Sequence, residues 1–88
     1  MSKYLFALAL AFTASTAMAG ANCPANPKAE WLSEAEARAR IEAQGYKIKK
    51  FKIDGNCYEI YGHDKAGKKV EIYYDTKTLA VIKSEIEK

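Results

Sequence analysis

Cys57-Tyr58-Glu59-Ile60-Tyr61-Gly62-His63, then Asp64-Lys65-Ala66-Gly67-Lys68, then Lys69-Val70-Glu71-Ile72-Tyr73-Tyr74-Asp75, is the stretch that decides the fold. Both flanking runs are rich in β-branched and aromatic residues and read at period two, as strands do. Gly67 suits a left-handed turn position. If Lys65-Ala66-Gly67 form a three-residue loop with a glycine bulge, Asp64 closes against Lys68 and the register is set. Ile60 then faces Ile72, Tyr58 faces Tyr74 and Gly62 faces Val70. On the other side Tyr61 meets Glu71, Glu59 meets Tyr73 and His63 meets Lys69. One face is apolar and the other mixed, which is the pattern of an antiparallel sheet with one buried side.

Downstream, Thr76-Lys77-Thr78-Leu79 reads as a turn and Ala80-Val81-Ile82-Lys83 as a short fourth strand, with Ser84 to Lys88 expected to fray. Upstream, Asp54-Gly55-Asn56 is a tight turn. Before it, Tyr46 and Ile48 share one parity while Phe51 and Ile53 share the other, and a bulge near Lys49-Lys50 reconciles them. Further back, Ser33 followed by Glu36 forms a capping box that opens a helix over Glu34 to Gln44. Glu34 and Glu36 complement its dipole, and Gly45 ends it. Ala37 and Ile41, with Leu32 ahead of them, are its core side, while Arg38, Arg40 and Glu42 are solvated. This helix is the element available to cover the apolar face. The expected fold class is therefore α+β: two layers, an N-terminal helix packed on a four-stranded antiparallel sheet. Trp31, Tyr46, Tyr58 and Tyr74 are expected in the core or at its margin.

The start of the chain is of another kind. Lys3, an apolar run from Tyr4 to Phe12, and Ala17-Met18-Ala19 have the layout of a secretory signal peptide, removed after Ala19. Ala19-Gly20-Ala21 offers a second cleavage point after Ala21. Asn22 before Cys23 argues against lipid attachment. The apolar run falls short of the about 20 residues a membrane span requires. Removing 19 of the 88 residues leaves 69, one small domain. The organisation read from the sequence is a signal peptide over 1–19, an irregular arm over 20–30 and a single domain over 31–88. Export, to the bacterial periplasm or beyond, places the two cysteines in an oxidising compartment. The adopted reading is a Cys23–Cys57 disulfide, with two free thiols or a metal pair as alternatives. Two distant cysteines with only His63 to help make a poor zinc set. The full chain carries 14 basic and 11 acidic residues. That mild balance gives no reason to expect a nucleic-acid partner. Lys47, Lys49, Lys50 and Lys52 read as the solvated side of a strand.

The ordered set Ser33-Glu34-Ala35-Glu36, Ile41-Glu42-Ala43-Gln44-Gly45-Tyr46, Asp54-Gly55-Asn56-Cys57-Tyr58-Glu59-Ile60 and Asp64-Lys65-Ala66-Gly67 resembles the PepSY domain, above all its short stand-alone secreted members. The resemblance covers nearly all of residues 20–88. It implies a fold akin to the beta-lactamase inhibitor protein. It also implies kinship with propeptide modules of thermolysin-like peptidases, which are thought to restrain or modulate peptidases. It carries over no catalytic residue and no cofactor. One departure stands out: similar members have an Asp-Pro-x-Thr-Gly turn, where this chain has Asp75-Thr76-Lys77-Thr78-Leu79. A left-handed Leu79 would cost about 1 kcal/mol relative to glycine, which leaves this turn and the last strand open to rearrangement.

The residues themselves offer little for catalysis. His63 is the only histidine, at a strand end. Ser33 is a helix cap and Ser84 lies in the tail. No enzyme activity, cofactor or metal site is expected. The tyrosines are the better lead, because Tyr61 and Tyr73, beside Glu59, Glu71 and Lys69, fall on the face away from the helix. Tyrosine is enriched at interfaces, and such a face docks a partner protein unless its aromatics only support cross-strand pairs. The function expected is a non-enzymatic binding module that modulates an exported peptidase or another envelope protein. A small-ligand or metal binder centred on His63 and a structural accessory domain are the alternatives.

Overall fold

The computed structural model describes residues 20–87; the expected signal peptide lies outside the described residues. A 3-10 turn at Lys28–Glu30 precedes helix α1 (Glu34–Ala43) and strands β1 (Lys47–Asp54), β2 (Cys57–His63), β3 (Lys69–Asp75) and β4 (Val81–Ile86). The strands form one antiparallel sheet in the order β1-β2-β3-β4. The architecture is α+β, as expected. Among the described residues no helix is long and apolar enough to cross a membrane.

The central hairpin has the register read from its loop. Tyr58 pairs with Tyr74, Ile60 with Ile72, Gly62 with Val70 and His63 with Lys69. Asp64 N–H donates to Lys68 O at 2.9 Å, and Gly67 takes φ +84°. Asp64 Oδ1 also accepts from the backbone N–H groups of Ala66 and Lys68, both at 2.9 Å, so the loop is held by its own side chain. The β1–β2 register shifts between Ile48 and Lys50, which is the bulge that the parity conflict requires.

The apolar face carries Tyr58, Ile60, Val70, Ile72 and Tyr74, buried with Ala37 and Ile41 of α1 and with Leu79. Trp31, Leu32, Tyr46, Ile48 and Phe51 border this cluster. Trp31 stands edge-on to Tyr58 with ring centroids 5.5 Å apart. The Tyr58 hydroxyl donates to Leu32 O, which ties the helix entry to the sheet. Ser33 Oγ accepts from Glu36 N–H at 3.1 Å, the expected cap. The reciprocal half is replaced: the Glu36 carboxylate pairs forward with Arg40 at 2.7 Å. An exposed pair one helical turn apart competes well with a second capping bond. Arg38 is only partly solvated, with its guanidinium 5.2 Å from the Phe51 ring centroid.

Two expectations about the C-terminal part change. The tail does not fray where expected: β4 runs to Ile86, and Glu87 N–H still donates to Lys69 O. The turn before it keeps its geometry without glycine. Leu79 adopts φ +61°, and its N–H donates to Asp75 O at 2.9 Å. Asp75, 4 % exposed, holds the turn from inside. Its Oδ2 accepts from the N–H of Lys77 and the N–H and hydroxyl of Thr78, and its Oδ1 from the Asn26 side chain at 2.8 Å. Burial opposes ionisation of Asp75, but these donors outweigh it, and its pKa falls below the usual carboxylate range. Leu79 is strained yet 9 % exposed and part of the core cluster. Because burying a leucine outweighs about 1 kcal/mol of left-handed strain, Leu79→Gly should destabilise the fold by about 1–2 kcal/mol rather than relieve it. A urea midpoint that rises in this variant would contradict that balance.

Candidate functional site

The face away from α1 is not open as expected. The arm crosses one end of it. Cys23 is bonded to Cys57 with Cα atoms 5.4 Å apart, and no cysteine is free among the described residues. Cys57 has the parity of Glu59 and Tyr61, so the bond draws the arm onto the polar side of the sheet. Gly20 N–H donates to the Tyr73 hydroxyl at 3.1 Å, and Lys83 Nζ donates to Gly20 O at 3.1 Å. Asn26 anchors to Asp75, Trp31 Nε1 donates to Asn26 O, and Leu32 N–H donates to Thr76 O.

The five residues expected on a partner surface therefore separate. Glu59 and Tyr73 are 1 % and 2 % exposed, and the open face to which they were assigned is narrower by these two. Tyr61 and Glu71 are half-buried and Lys69 is exposed. This second group, with Lys49, His63 and Glu87, lines a depression of about 260 Å³ at the end of the face that the arm leaves free. The ammonium groups of Lys50 and Lys52 stand 5.8 Å and 5.7 Å from the Tyr61 ring centroid, giving that ring a cationic collar. His63 was placed on this face from the sequence, as the centre of the alternative ligand site, whereas Lys49 and Glu87 were not. Lys49 reaches it because the bulge turns it there, and Glu87 because β4 continues past Lys83.

Between the covered and the open ends lies a pair of acids. Glu59 on β2 and Glu71 on β3 lie diagonally across the ladder on this face, each opposite a tyrosine. Burial first, and then Glu71, push the Glu59 carboxyl up, while Glu71 is held below the usual range chiefly by its hydrogen bond with Glu59. Tyr73 donates to Glu71 Oε2 at 2.9 Å, and burial raises its pKa. The Glu59 carboxyl beside it pushes Tyr61 up to about 12. Glu59 Oε2 and the Tyr74 hydroxyl are buried without a hydrogen-bond partner.

This pair gives stability a signed pH dependence in the full-length chain, where Gly20 is internal. The raised Glu59 contributes stability that is present below the ordinary carboxylate range and is lost as pH rises through its folded value. The lowered Glu71 contributes stability that is lost as pH falls through its own. The optimum lies between the two folded values. Glu59→Gln carries no charge to desolvate, so above the ordinary carboxylate range it should be more stable than the parent by about 1–2 kcal/mol and show a flatter profile with rising pH. Parallel profiles for the two proteins would contradict the raised Glu59 carboxyl.

No group of three or more His, Cys, Asp or Glu residues among those described is placed to hold a metal ion. His63 lines the depression with Lys49, Lys69, Glu71 and Glu87. The arrangement is suited to binding: one aromatic anchor, charges of both signs, and a rigid antiparallel floor.

No curated protein and no solved structure shows significant similarity to the chain. The family described as "Peptidase propeptide and YPEB domain" matches residues 3–85. With a helix-on-sheet fold throughout the matched region that the structure describes, the chain belongs to the PepSY family.

Proposed function

We propose that this protein is an exported, non-enzymatic module that restrains a peptidase or another envelope protein through the open end of its polar sheet face. The observation that carries the reading is the half-buried Tyr61 in a depression that also holds Glu71, Lys69, His63 and Lys49. Membership of a family described by peptidase propeptides supports peptidases as the partner class. The Cys23–Cys57 bond supports an oxidising compartment. The surface is small, so affinity would depend on the aromatic anchor rather than on area.

The test is peptidase activity. Purified protein beginning at Gly20 is titrated into exported peptidases from the same cell, with Tyr61→Ala as the paired variant. The expected result is inhibition of at least one peptidase, weakened about tenfold or more by Tyr61→Ala, as loss of an aromatic anchor of about 1.4–2 kcal/mol requires. Peptidases unaffected by the folded protein would remove the reading. Saturable binding of a small anion or divalent cation at His63, with peptidases unaffected, would favour a ligand-binding role instead.

A further inference from the structure

Gly20 sits where the charge balance is short of a cation. Its nitrogen is 3.1 Å from the Tyr73 hydroxyl, which donates onward to Glu71 Oε2 at 2.9 Å. Behind Glu71 lies Glu59, 1 % exposed, whose Oε2 has no hydrogen-bond partner among the described residues. Gly20 has φ +82°, and a Cβ built on it would fall 3.5 Å from Asp54 Oδ2. The groups around it are Asp54 at the end of β1, Glu59 and Tyr61 on β2, Glu71 and Tyr73 on β3, and Lys83 on β4. Asp54 adjoins Gly20 itself, Glu71 is reached through the Tyr73 hydroxyl, and the neighbouring Lys83 is partly engaged with Glu85 at 3.6 Å.

As an internal residue, Gly20 supplies one N–H and no charge. As a chain terminus, the same nitrogen supplies three N–H donors and a unit positive charge. We propose that cleavage between Ala19 and Gly20 frees an α-ammonium that seats in the Asp54–Glu59–Glu71 cluster, so that removal of the leader completes this face of the fold. The inference rests on the export reading above. The step is hydrolysis of one peptide bond by a leader-removing peptidase. Water's oxygen joins the Ala19 carbonyl carbon, which departs as the carboxylate, and both of water's protons end on the Gly20 nitrogen to give the ammonium. Cleavage after Ala21 would discard both the ammonium and Gly20 O, the acceptor of Lys83. It would also discard Ala21 O, which packs 3.5 Å from Cys57 Sγ.

The test compares four proteins: the exported, processed chain; a recombinant chain beginning at Gly20; that chain acetylated on its α-amino group after folding; and a chain beginning at Asn22. The exported protein is expected to have the mass of a chain starting at Gly20. The α-amino group should titrate about one unit above its ordinary value near 8. Acetylation should lower the folding constant about tenfold, the equivalent of that shift, and the loss should shrink in a Glu59→Gln/Glu71→Gln background and vanish when Asp54→Asn is added. An α-amino group at its ordinary value, with acetylation harmless, would overturn the inference. So would an exported chain that begins at Asn22, while export itself would stand. A chain that keeps its leader would overturn the export reading and the maturation step with it. The recombinant Gly20 chain would then still decide the ammonium seat.

Discussion

Reduction of Cys23–Cys57, or its replacement by Cys23→Ala/Cys57→Ala, is expected to lower stability by about 3–4 kcal/mol, the loop-closure value for a separation of 34 residues. In a small domain with a thin stability margin, that is a large share of the total. The loss should also be local in character. Without the bond, the arm is held by polar contacts, chiefly Gly20 at Tyr73 and Lys83 and Asn26 at Asp75. Glu59 and Tyr73 should then gain solvent before the helix side of the sheet opens. Urea unfolding with and without reductant measures the first effect, and backbone hydrogen exchange along β2 and β3 measures the second. An unchanged urea midpoint on reduction would show that the arm is a passenger.

Gly62→Ala is expected to cost at least about 3 kcal/mol, because the added methyl has no room and the obstacle cannot rotate away. A Cβ at Gly62 would lie 1.9 Å from Lys47 O and 3.0 Å from Lys47 C, both backbone atoms of the neighbouring strand. Here the bulge at Lys49 brings β1 tightly across β2. The β1–β2 pairing would have to separate at the end that floors the depression. Gly67→Ala is the control. It meets nothing within 4 Å but has φ +84°, so it should cost only the about 1 kcal/mol of left-handed strain. Denaturant midpoints for the two variants should therefore differ widely, and equal losses would contradict the steric account.

Much of the sheet could be read from residues 57–75 because a loop residue and a period together leave one register. Asp64 and Gly67 fix the loop, and alternation then assigns every side chain to a face. The bulge in β1 was legible for the same reason, since two hydrophobic pairs of opposite parity cannot share a face. The arm was not legible by these means. Gly20 to Asn26 have no period, and their bonds to Tyr73, Asp75 and Thr76 span about fifty residues of sequence. One signal was nevertheless present. Cys57 has the parity of Glu59 and Tyr61, so a bond to Cys23 requires the arm to cross the polar face. That geometry accounts for the burial of Glu59 and Tyr73, which charge and polarity alone assign to solvent. The extension of β4 through Ser84-Glu85-Ile86 was hidden by a short, mixed sequence. It forms because β3 offers a full ladder of backbone partners.

The protein thus divides one sheet face into an end closed by a disulfide-pinned arm and an end left open around Tyr61. Hydrogen exchange of the protein alone and bound to a peptidase that the proposed titration finds inhibited tests that division directly. Added protection is expected from Tyr61 through Lys69 to Glu71, with α1 and β4 unchanged. Protection confined to α1 or to the outer edge of β4, with Tyr61 and Glu71 silent, would contradict it.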